Sequence, residues 1–299
     1  MAFRTVLIES PARLSLRNRQ LIVDTDREHS LPVEDLNALL LENRQSSITA
    51  AALSHLGQCG CAVFVCDEKH MPCAVLTPFL QHSRALTAAE SQLAATEPMK
   101  KRLWQAVVRA KIGNQASCLR WNGKEGEAEA LQAMLPRVRS GDPENVEARA
   151  AQRYFPALFG EGFVRREDSG VNAALNYGYA ILRGCMARYL AAYGFLPLFG
   201  LHHRSALNSF NLADDLMEPF RPLVDMLVSV QGDCPDGLTP EIKRQLLNCL
   251  NLDVLSGGAH HSASYAMERL VQSYGRALKE KDAALCLPEL RELRQHRYE

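Results

Sequence analysis

Three carboxylates lie within five positions of one short segment of this 299-residue chain. Asp214, Asp215 and Glu218 stand in the stretch ADDLMEPFRP, directly before Pro219. On a helix, side chains three or four positions apart are neighbours, and like charges there destabilise the helix by a few tenths of a kcal/mol. Because a bound cation would relieve this repulsion, the cluster is a candidate metal site.

A structural role is the simpler interpretation of one or two of these acids. Helix N-termini favour negative charge, so Asp214 or Asn211 could cap a helix. Pro219 lacks an N–H and clashes with the carbonyl group four residues earlier, so the helix must bend or restart there. Such a bend could aim the Glu218 side chain into a site, which capping alone does not explain.

Two histidines precede the acids in the segment GLHHRSALN. Neighbours on an extended chain point to opposite faces, so only one of His202 and His203 should face the carboxylates. One imidazole nitrogen beside carboxylate oxygens suits Mg²⁺, Mn²⁺ or Zn²⁺ better than Ca²⁺. Spacing alone equally allows a pair of hydrogen-bonded histidines beside a capped helix.

A basic segment at 97–124 holds seven Lys and Arg residues and a single acid. Both tryptophans, Trp104 and Trp121, fall within it. Basic and aromatic side chains together suit a nucleic-acid backbone. A solvated amphipathic helix explains the same pattern without DNA, and the residues alone favour that helix.

A further candidate acid is Glu147 in ENVEARAAQRYFPALFG. Positions 147, 150, 151, 154 and 158 share one helical face, which is otherwise mostly apolar. Glu147 is therefore either a helix-start carboxylate or a buried functional acid.

The hydrophobic pattern predicts an α+β chain, with a small N-terminal β-rich domain followed by a larger all-α C-terminal domain, which contains the candidate catalytic acids. Residues 1 to about 80 carry short apolar runs between turns, and from about residue 84 the period becomes helical. The predicted strands are Thr5–Ile8, Arg13–Leu16, Gln20–Val23, an edge strand at Leu31–Val33, Ala62–Cys66 and Cys73–Leu76. The predicted helices are Ile48–Leu56 capped by Ser47, Lys100–Lys111, Val171–Ala192, one starting at Thr239–Glu241, and Ser262–Lys281.

Domain boundaries follow from these elements. We predict a β-rich domain at 1–80, a linker at 81–90 and a helical catalytic domain at 91–287. The tail at 288–299 alternates charge and is expected to be mobile or weakly packed.

Composition is that of an ordinary globular protein, with 34 basic and 34 acidic residues and 47% apolar residues. A zero net charge does not indicate nucleic-acid binding by itself, although it permits a local basic face. No apolar run reaches the roughly 18 residues of a membrane span, and the N-terminus lacks the apolar region of a signal peptide. These features favour a cytoplasmic protein.

Nine cysteines without regular spacing favour reduced, buried thiols. Cys59, Cys61, Cys66 and Cys73 allow a zinc site as the alternative. The absence of a CxxC pair, and the buried strand expected between Cys61 and Cys66, favour structural cysteines.

Several separated motifs together resemble one family, the CRISPR-associated DNA integrase that is the catalytic subunit of spacer acquisition. They are EARAAQRYF at 147–155, VNAALNYGYAIL at 171–182, GLHHR at 200–204 and DLMEPFRP at 215–222. The β-then-α order also fits that family, so the resemblance covers nearly the whole chain. EPFRPLVD, KIGNQ at 111–115 and HHS at 260–262 look most like the version from type II systems.

The resemblance implies metal ligands and catalytic residues at Glu147, His203 and Glu218, with Mg²⁺ or Mn²⁺ as the cofactor. His203 matches the family's histidine better than His202 because of its distance from the acidic motif. Asp215 matches a supporting acid. The family usually has glycine where this chain has Ala148, and the extra acid Asp214 is interpreted as a helix cap.

The implied reaction joins the 3′-hydroxyl of a captured DNA fragment to a phosphodiester at the edge of a CRISPR repeat. With water as the nucleophile, the same site would act as a DNA endonuclease. Plausible phosphate contacts are Lys101, Arg109, Lys111, Arg204 and Arg221. Of these, Arg221 could equally pair with Glu218 or Asp225.

The family resemblance also implies partners. These are DNA, a second copy of the chain in a homodimer, a small second adaptation protein that bridges two dimers, and other type II system proteins. No membrane partner is expected, and the location would be the prokaryotic cytoplasm.

Two other functions remain compatible with the residues. One is a general metal-dependent DNA nuclease that does not integrate. The other is a non-catalytic DNA-binding subunit in which the acids and histidines are structural. Joined DNA products would distinguish the integrase from both.

Overall fold

The computed structural model describes residues 2–77, 85–232, 234 and 237–297. The N-terminal part comprises strands β1 (Arg4–Ile8), β2 (Arg13–Arg17), β3 (Gln20–Asp24), β4 (Glu28–Pro32), β5 (Leu36–Leu41), β6 (Ser47–Ile48), β7 (Ala62–Cys66) and β8 (Pro72–Val75), with helix α1 (Ala50–Gln58). The C-terminal part comprises α2 (Ala85–Leu93), α3 (Glu97–Trp121), α4 (Glu125–Gln132), α5 (Val146–Phe159), α6 (Gly170–Ala192), α7 (Asn211–Met217), α8 (Arg221–Ser229), α9 (Pro240–Leu247), β9 (Leu252–Ser256), β10 (Ala259–Ser262), α10 (Ala263–Glu280) and β11 (Pro288–Gln295). The predicted β-then-α order is confirmed.

Two sheets form the N-terminal part. One has the order β1-β5-β7-β8, with β1, β5 and β7 parallel and β8 antiparallel at its edge. The other has the order β4-β3-β2-β6. Its β2–β3 hairpin, which the sequence predicted, turns through Asn18 and Arg19 at φ 50° and 61°. This left-handed backbone matches the twist that two-residue hairpins require.

The first sheet is covered on both faces. Alternate residues of β5 and β7 belong to different cores: Leu40 and Phe64 join the helical core, while Leu39 and Val63 join the core shared with the second sheet. Helix α6 approaches closely at Gly184, where a Cβ atom would lie 2.3 Å from the Phe64 ring. The sheet and the helices therefore share one continuous apolar core.

Most predicted helices occur close to their predicted bounds. Ser169, Thr239 and Ser262 cap α6, α9 and α10 by accepting a hydrogen bond from a backbone N–H of the first turn. The predicted cap of the first helix was wrong. Thr49 caps α1, and Ser47 lies in the short strand β6, because β2 offers a free edge to the residues before the helix.

The C-terminal part is mostly helical, with a three-stranded sheet that the sequence did not predict. Its order is β10-β9-β11, and both neighbours run antiparallel to β9. The expectation of a weakly packed tail was wrong for Pro288–Gln295, because Leu290 is buried and β9 supplies hydrogen-bond partners. Residues 298–299 of that tail, and residues 81–84 of the predicted linker, lie outside the described residues, while Ala85–Leu93 is helix α2.

The nine cysteines are all free. Cys61 and Cys66, at the two ends of β7, are buried, and burial raises the pKa of each thiol to about 12. These two thiols are core side chains, as the buried strand predicted. No helix within the described ranges is long and apolar enough to cross a membrane.

Candidate active site

Two of the predicted functional acids meet at a buried lysine. The Nζ atom of Lys111, in α3, lies 2.6 Å from Glu147 Oε1 and 2.5 Å from Glu218 Oε2. The two glutamates come from α5 and from the bend after α7. The fold thus brings Glu147 and Glu218 to one cation, although 70 positions separate them in the sequence.

Glu147 is positioned by a neighbouring acid that caps its helix. The backbone N–H groups of Val146 and Glu147 donate to the Asp142 carboxylate at 2.9 Å each. Because Asp142 provides the N-terminal anion of α5, the Glu147 side chain is free to reach Lys111. No local sequence pattern indicates this role for Asp142, which lies in the turn region before the helix.

Glu218 is positioned by the break that Pro219 imposes. Helix α7 ends at Met217, residues 218–220 form a 3₁₀ turn, and α8 begins at Arg221. The predicted restart at Pro219 is confirmed. The buried side chain of Asn114 in α3 holds this turn, since its Nδ2 donates to the Pro219 carbonyl at 2.8 Å.

Asn114 also fixes the last strand, and this double role predicts a large stability effect. Its Nδ2 donates to the Pro288 carbonyl at 3.0 Å and its Oδ1 accepts from the Leu290 N–H at 3.1 Å. We expect Asn114→Ala to lower the free energy of unfolding by roughly 2–4 kcal/mol, because three buried backbone groups lose partners. Urea denaturation measures this, with the exposed Asn176→Ala as the control. An equal loss in both variants would contradict the assigned role.

His203 is held by Asp215. This fully buried carboxylate accepts the Nδ1 hydrogen bond of His203 at 2.6 Å and the backbone N–H groups of Leu201, His202 and His203 at 2.5, 3.0 and 3.2 Å. Gly200 permits this wrap, since a Cβ there would lie 2.7 Å from Asp215 Oδ2. With Nδ1 engaged, Nε2 is the ring nitrogen left for a ligand, and Asp215 acts as a positioning residue.

The two histidines contact Trp104 in different ways. The His202 ring stacks on Trp104 with 4.5 Å between centroids, whereas His203 meets the same indole edge-on at 5.9 Å. Trp104 is buried, so it supports this segment rather than offering a face to nucleic-acid bases.

Opposite charges keep the buried groups ionised. Burial alone would raise the pKa of Glu218, but Arg221 and Lys111 lower it below its ordinary value. Burial likewise favours neutral Lys111, yet Glu218 and Glu147 outweigh it and raise the lysine pKa. The hydrogen bond to Asp215 raises the pKa of His203, against the opposing effect of its burial. The site is therefore a network of charges rather than an apolar pocket.

The interpretation of Asp214 as a helix cap was wrong. Its carboxylate accepts two hydrogen bonds from Arg183 of α6, at 2.6 and 2.7 Å, and one from Asn208 at 2.7 Å. Asn211 instead donates to three loop carbonyls. Each of the three clustered acids thus has its own partner, which offsets the repulsion between them.

The five predicted phosphate contacts fall into two groups. Lys101, Arg109 and Arg204 are exposed, and Arg204 pairs with Glu97 at 2.6 Å. Lys111 and Arg221 instead form ion pairs with Glu218, and Arg221 Nε lies 2.8 Å from Glu218 Oε1. The two histidines of the HHS motif lie before α10, where Ser262 is the cap and His260 bonds to Asp253.

Asp225 is a buried acid whose partners could not be identified from the sequence. It accepts hydrogen bonds from the hydroxyls of Tyr154, at 3.0 Å, and Tyr179. Burial raises its pKa to about 6, although both tyrosines oppose the shift. The sequence pattern that indicates its burial is the position of an acid within the mostly apolar helix RPLVDMLVS.

The raised pKa of Asp225 predicts a pH-dependent stability. Folded Asp225 holds its proton up to about pH 6, whereas an unfolded aspartate loses it near 4. The unfolded state binds fewer protons between these values, so wild-type stability falls as pH rises through them. Relative to Asp225→Asn, we expect a loss of roughly 1–1.5 kcal/mol between about pH 5 and about pH 7.5. Urea denaturation at both pH values tests this; a constant difference would show that Asp225 is ionised throughout.

The donor types around Lys111 suit a divalent ion, although the structure does not assemble a complete metal site. Among the described residues, no group of three or more His, Cys, Asp or Glu is arranged to hold a metal. Glu147 and Glu218 nevertheless converge on a single cation, the Lys111 ammonium, and His203 keeps Nε2 free. Two carboxylates and an imidazole suit Mn²⁺ and, with water, Mg²⁺.

The family model for CRISPR associated protein Cas1 matches residues 5–230. The chain belongs to the Cas1 family. A Cas1 relative, the CRISPR-associated endonuclease Cas1 of Neisseria meningitidis serogroup C (strain 8013), is 44% identical over 304 residues and is aligned over 100% of both chains. The family that the sequence motifs indicated is therefore confirmed.

Two solved structures share the Cas1 fold of this chain. A casposase bound to integration product has a TM-score of 0.77 at 19% identity, covering 94% of this chain and 92% of the casposase. A chain of a partial Cas6-RT-Cas1–Cas2 complex has a TM-score of 0.65 at 20% identity, with coverage of 98% and 100%. At these identities the likeness concerns the fold.

Proposed function

We propose that this Cas1 protein is a metal-dependent DNA integrase and endonuclease. It would join the 3′-hydroxyl of a captured DNA fragment to a repeat phosphodiester of a CRISPR array. The observation that carries the proposal is the convergence of Glu147 and Glu218 on one cation, beside a histidine that Asp215 orients. The family membership and the 44% identical endonuclease support it.

Glu147, His203 and Glu218 would hold the Mg²⁺ or Mn²⁺ ion. Such an ion supplies a Lewis acid that offsets the charge developing on the attacked phosphate. Asp215 holds His203 Nδ1 and thereby presents Nε2. Arg221 and Lys111 keep Glu218 ionised by lowering its pKa. These two cations thus keep Glu218 in the ionised state that a divalent ion requires.

DNA would contact the exposed cations near the site. Lys101 and Arg109 of α3 and Arg204 of the histidine segment are exposed, with Arg109 donating to the Val138 carbonyl and Arg204 paired with Glu97. Their charges suit phosphodiester oxygens. A small second adaptation protein is the expected protein partner, since one structural neighbour is part of a Cas1–Cas2 complex. We also propose the homodimer, the contacts with other type II system proteins and the cytoplasmic location that the resemblance implies.

A strand-transfer assay tests the proposal. The protein and its small partner are mixed with a 3′-hydroxyl DNA fragment, a repeat-containing plasmid and Mn²⁺ or Mg²⁺. We expect joined product that disappears with EDTA and in His203→Ala. Cleavage without joining would favour the general nuclease, and binding without either reaction would favour the DNA-binding subunit. Joining that persists in His203→Ala would keep the function and discard the assigned site.

A further inference from the structure

Arg188 of α6 is a buried cation without a carboxylate partner among the described residues. Only 5% of it is exposed. Its Nη1 donates to the Gly60 carbonyl, and its guanidinium lies over the Tyr189 ring at 3.9 Å and also interacts with the Cys185 thiol. Its Nε has no hydrogen-bond partner among the described residues. The guanidinium is therefore held in place without a neutralising group.

Other buried cations in the described structure show the usual arrangement. Lys111 contacts Glu147 and Glu218, and Lys243 contacts Glu42. A buried charge is costly unless it is paired with an opposite charge. Because arginine cannot shed its proton, Arg188 cannot relieve this cost by becoming neutral. An anion beside Arg188 would do so.

Arg188 lines a cavity that could admit such an anion. The cavity has a volume of about 290 Å³ and lies between the N-terminal sheet and helices α6 and α10. Its polar wall includes Asn37, Gly60, Tyr189, Tyr193, Ser264 and Glu268. The Tyr189 hydroxyl lies 2.8 Å from Ser264 Oγ, which donates to Asn37 Oδ1 at 2.9 Å. This polar cavity shares no lining residue with the network around Lys111.

Among the described residues that line the cavity, Glu268 is the one acid, and it forms no ion pair with Arg188. Its Oε1 accepts a hydrogen bond from the Tyr193 hydroxyl at 2.7 Å instead. Its negative charge disfavours highly charged anions in the same cavity, so a group with one or two charges fits best.

We propose that this cavity binds one small oxyanion, a phosphate or a carboxylate group, through the N–H groups of Arg188 that Gly60, Cys185 and Tyr189 do not engage. Guanidinium groups recognise both oxyanions by paired, charge-assisted hydrogen bonds. The inference does not depend on the proposed integrase function, since it involves none of the acids around Lys111.

Thermal unfolding in phosphate, acetate and chloride at equal ionic strength tests the proposal. We expect phosphate or acetate to raise the wild-type Tm by about 2–4 °C over chloride. The rise should be absent in Arg188→Met and retained in the control Arg183→Met, which removes an arginine of the same helix that is paired with Asp214. In chloride, Arg188→Met should melt no lower than wild type, because it removes an unpaired buried charge.

Phosphate and acetate distinguish the two candidate oxyanions, because the anion that the cavity recognises should produce the larger rise in Tm. Calorimetric titration of inorganic phosphate or acetate into wild type and Arg188→Met then gives binding directly. If Arg188→Met does not fold, Arg188→Lys replaces it and should weaken binding, because an ammonium cannot form the paired bonds. If wild type shows no anion-dependent rise in Tm, or if Arg188→Met shows the same rise as wild type, the proposal is overturned. Arg188 would then be a structural contact to Gly60.

Discussion

Glu218→Gln is expected to reduce strand transfer at least about a hundredfold while leaving the fold assembled. Glutamine keeps the shape of the side chain but removes the charge that meets Lys111 and Arg221 at 2.5 and 2.8 Å. If the acids around Lys111 form the catalytic centre, this one charge is indispensable. The measurement is the rate of joined product with Mn²⁺, below the melting temperature of the variant.

A matched control separates lost chemistry from lost stability. Glu42 is also buried and paired with a lysine, Lys243, but it lies in the N-terminal part of the chain. Glu42→Gln should therefore destabilise the protein by a similar amount and still support strand transfer. Equal losses of transfer in the two variants would show that Glu218 matters only for folding.

Lys111→Met is expected to lower the free energy of unfolding by about 3–5 kcal/mol in the absence of metal. The substitution removes the ion-pair partner of Glu147, and among the described residues it leaves buried Glu218 paired with Arg221 alone. Because domains are stable by only about 5–15 kcal/mol, this loss is a large fraction of the total. Urea denaturation with EDTA present measures it.

Manganese should distinguish the lysine's role from that of other buried lysines. If a metal binds the same acids, Mn²⁺ should raise the Tm of Lys111→Met more than that of wild type, because the ammonium no longer competes. Lys243→Met breaks a comparable buried pair away from these acids and should gain nothing extra. An equal response of the two variants to Mn²⁺ would contradict metal binding by Glu147 and Glu218.

Local patterns were enough to predict the elements that carry the site. A proline such as Pro219 interrupts a helix through its effect on the residues directly before it. The caps Thr239 and Ser262 likewise accept hydrogen bonds from the first turn of the helix that follows each of them. The choice of His203 over His202 rested on spacing in the motif, and in the structure it is His203 whose ring bonds to Asp215. These features depend on a few neighbouring residues, which is why the sequence reveals them.

Long-range partners could not be predicted in the same way. Lys111 was expected to meet phosphates because it lies in a basic segment, yet the fold turns it towards two distant acids. Aspartate is a common helix cap, which is why Asp214 was interpreted as one. Its actual partner, Arg183, comes within reach only because α6 packs beside α7. Likewise β11 has no strand-like alternation of its own, and it becomes a strand because β9 and Asn114 offer partners.

Burial of both faces of the N-terminal sheet determines how the protein unfolds. Leu40 and Phe64 are buried against the helices, while Leu39 and Val63, one position away, are buried against the second sheet. A fragment ending near residue 80 would therefore expose a whole apolar face to water. Such a fragment would aggregate rather than fold, and in the intact chain the sheet and the helices should melt in one cooperative transition.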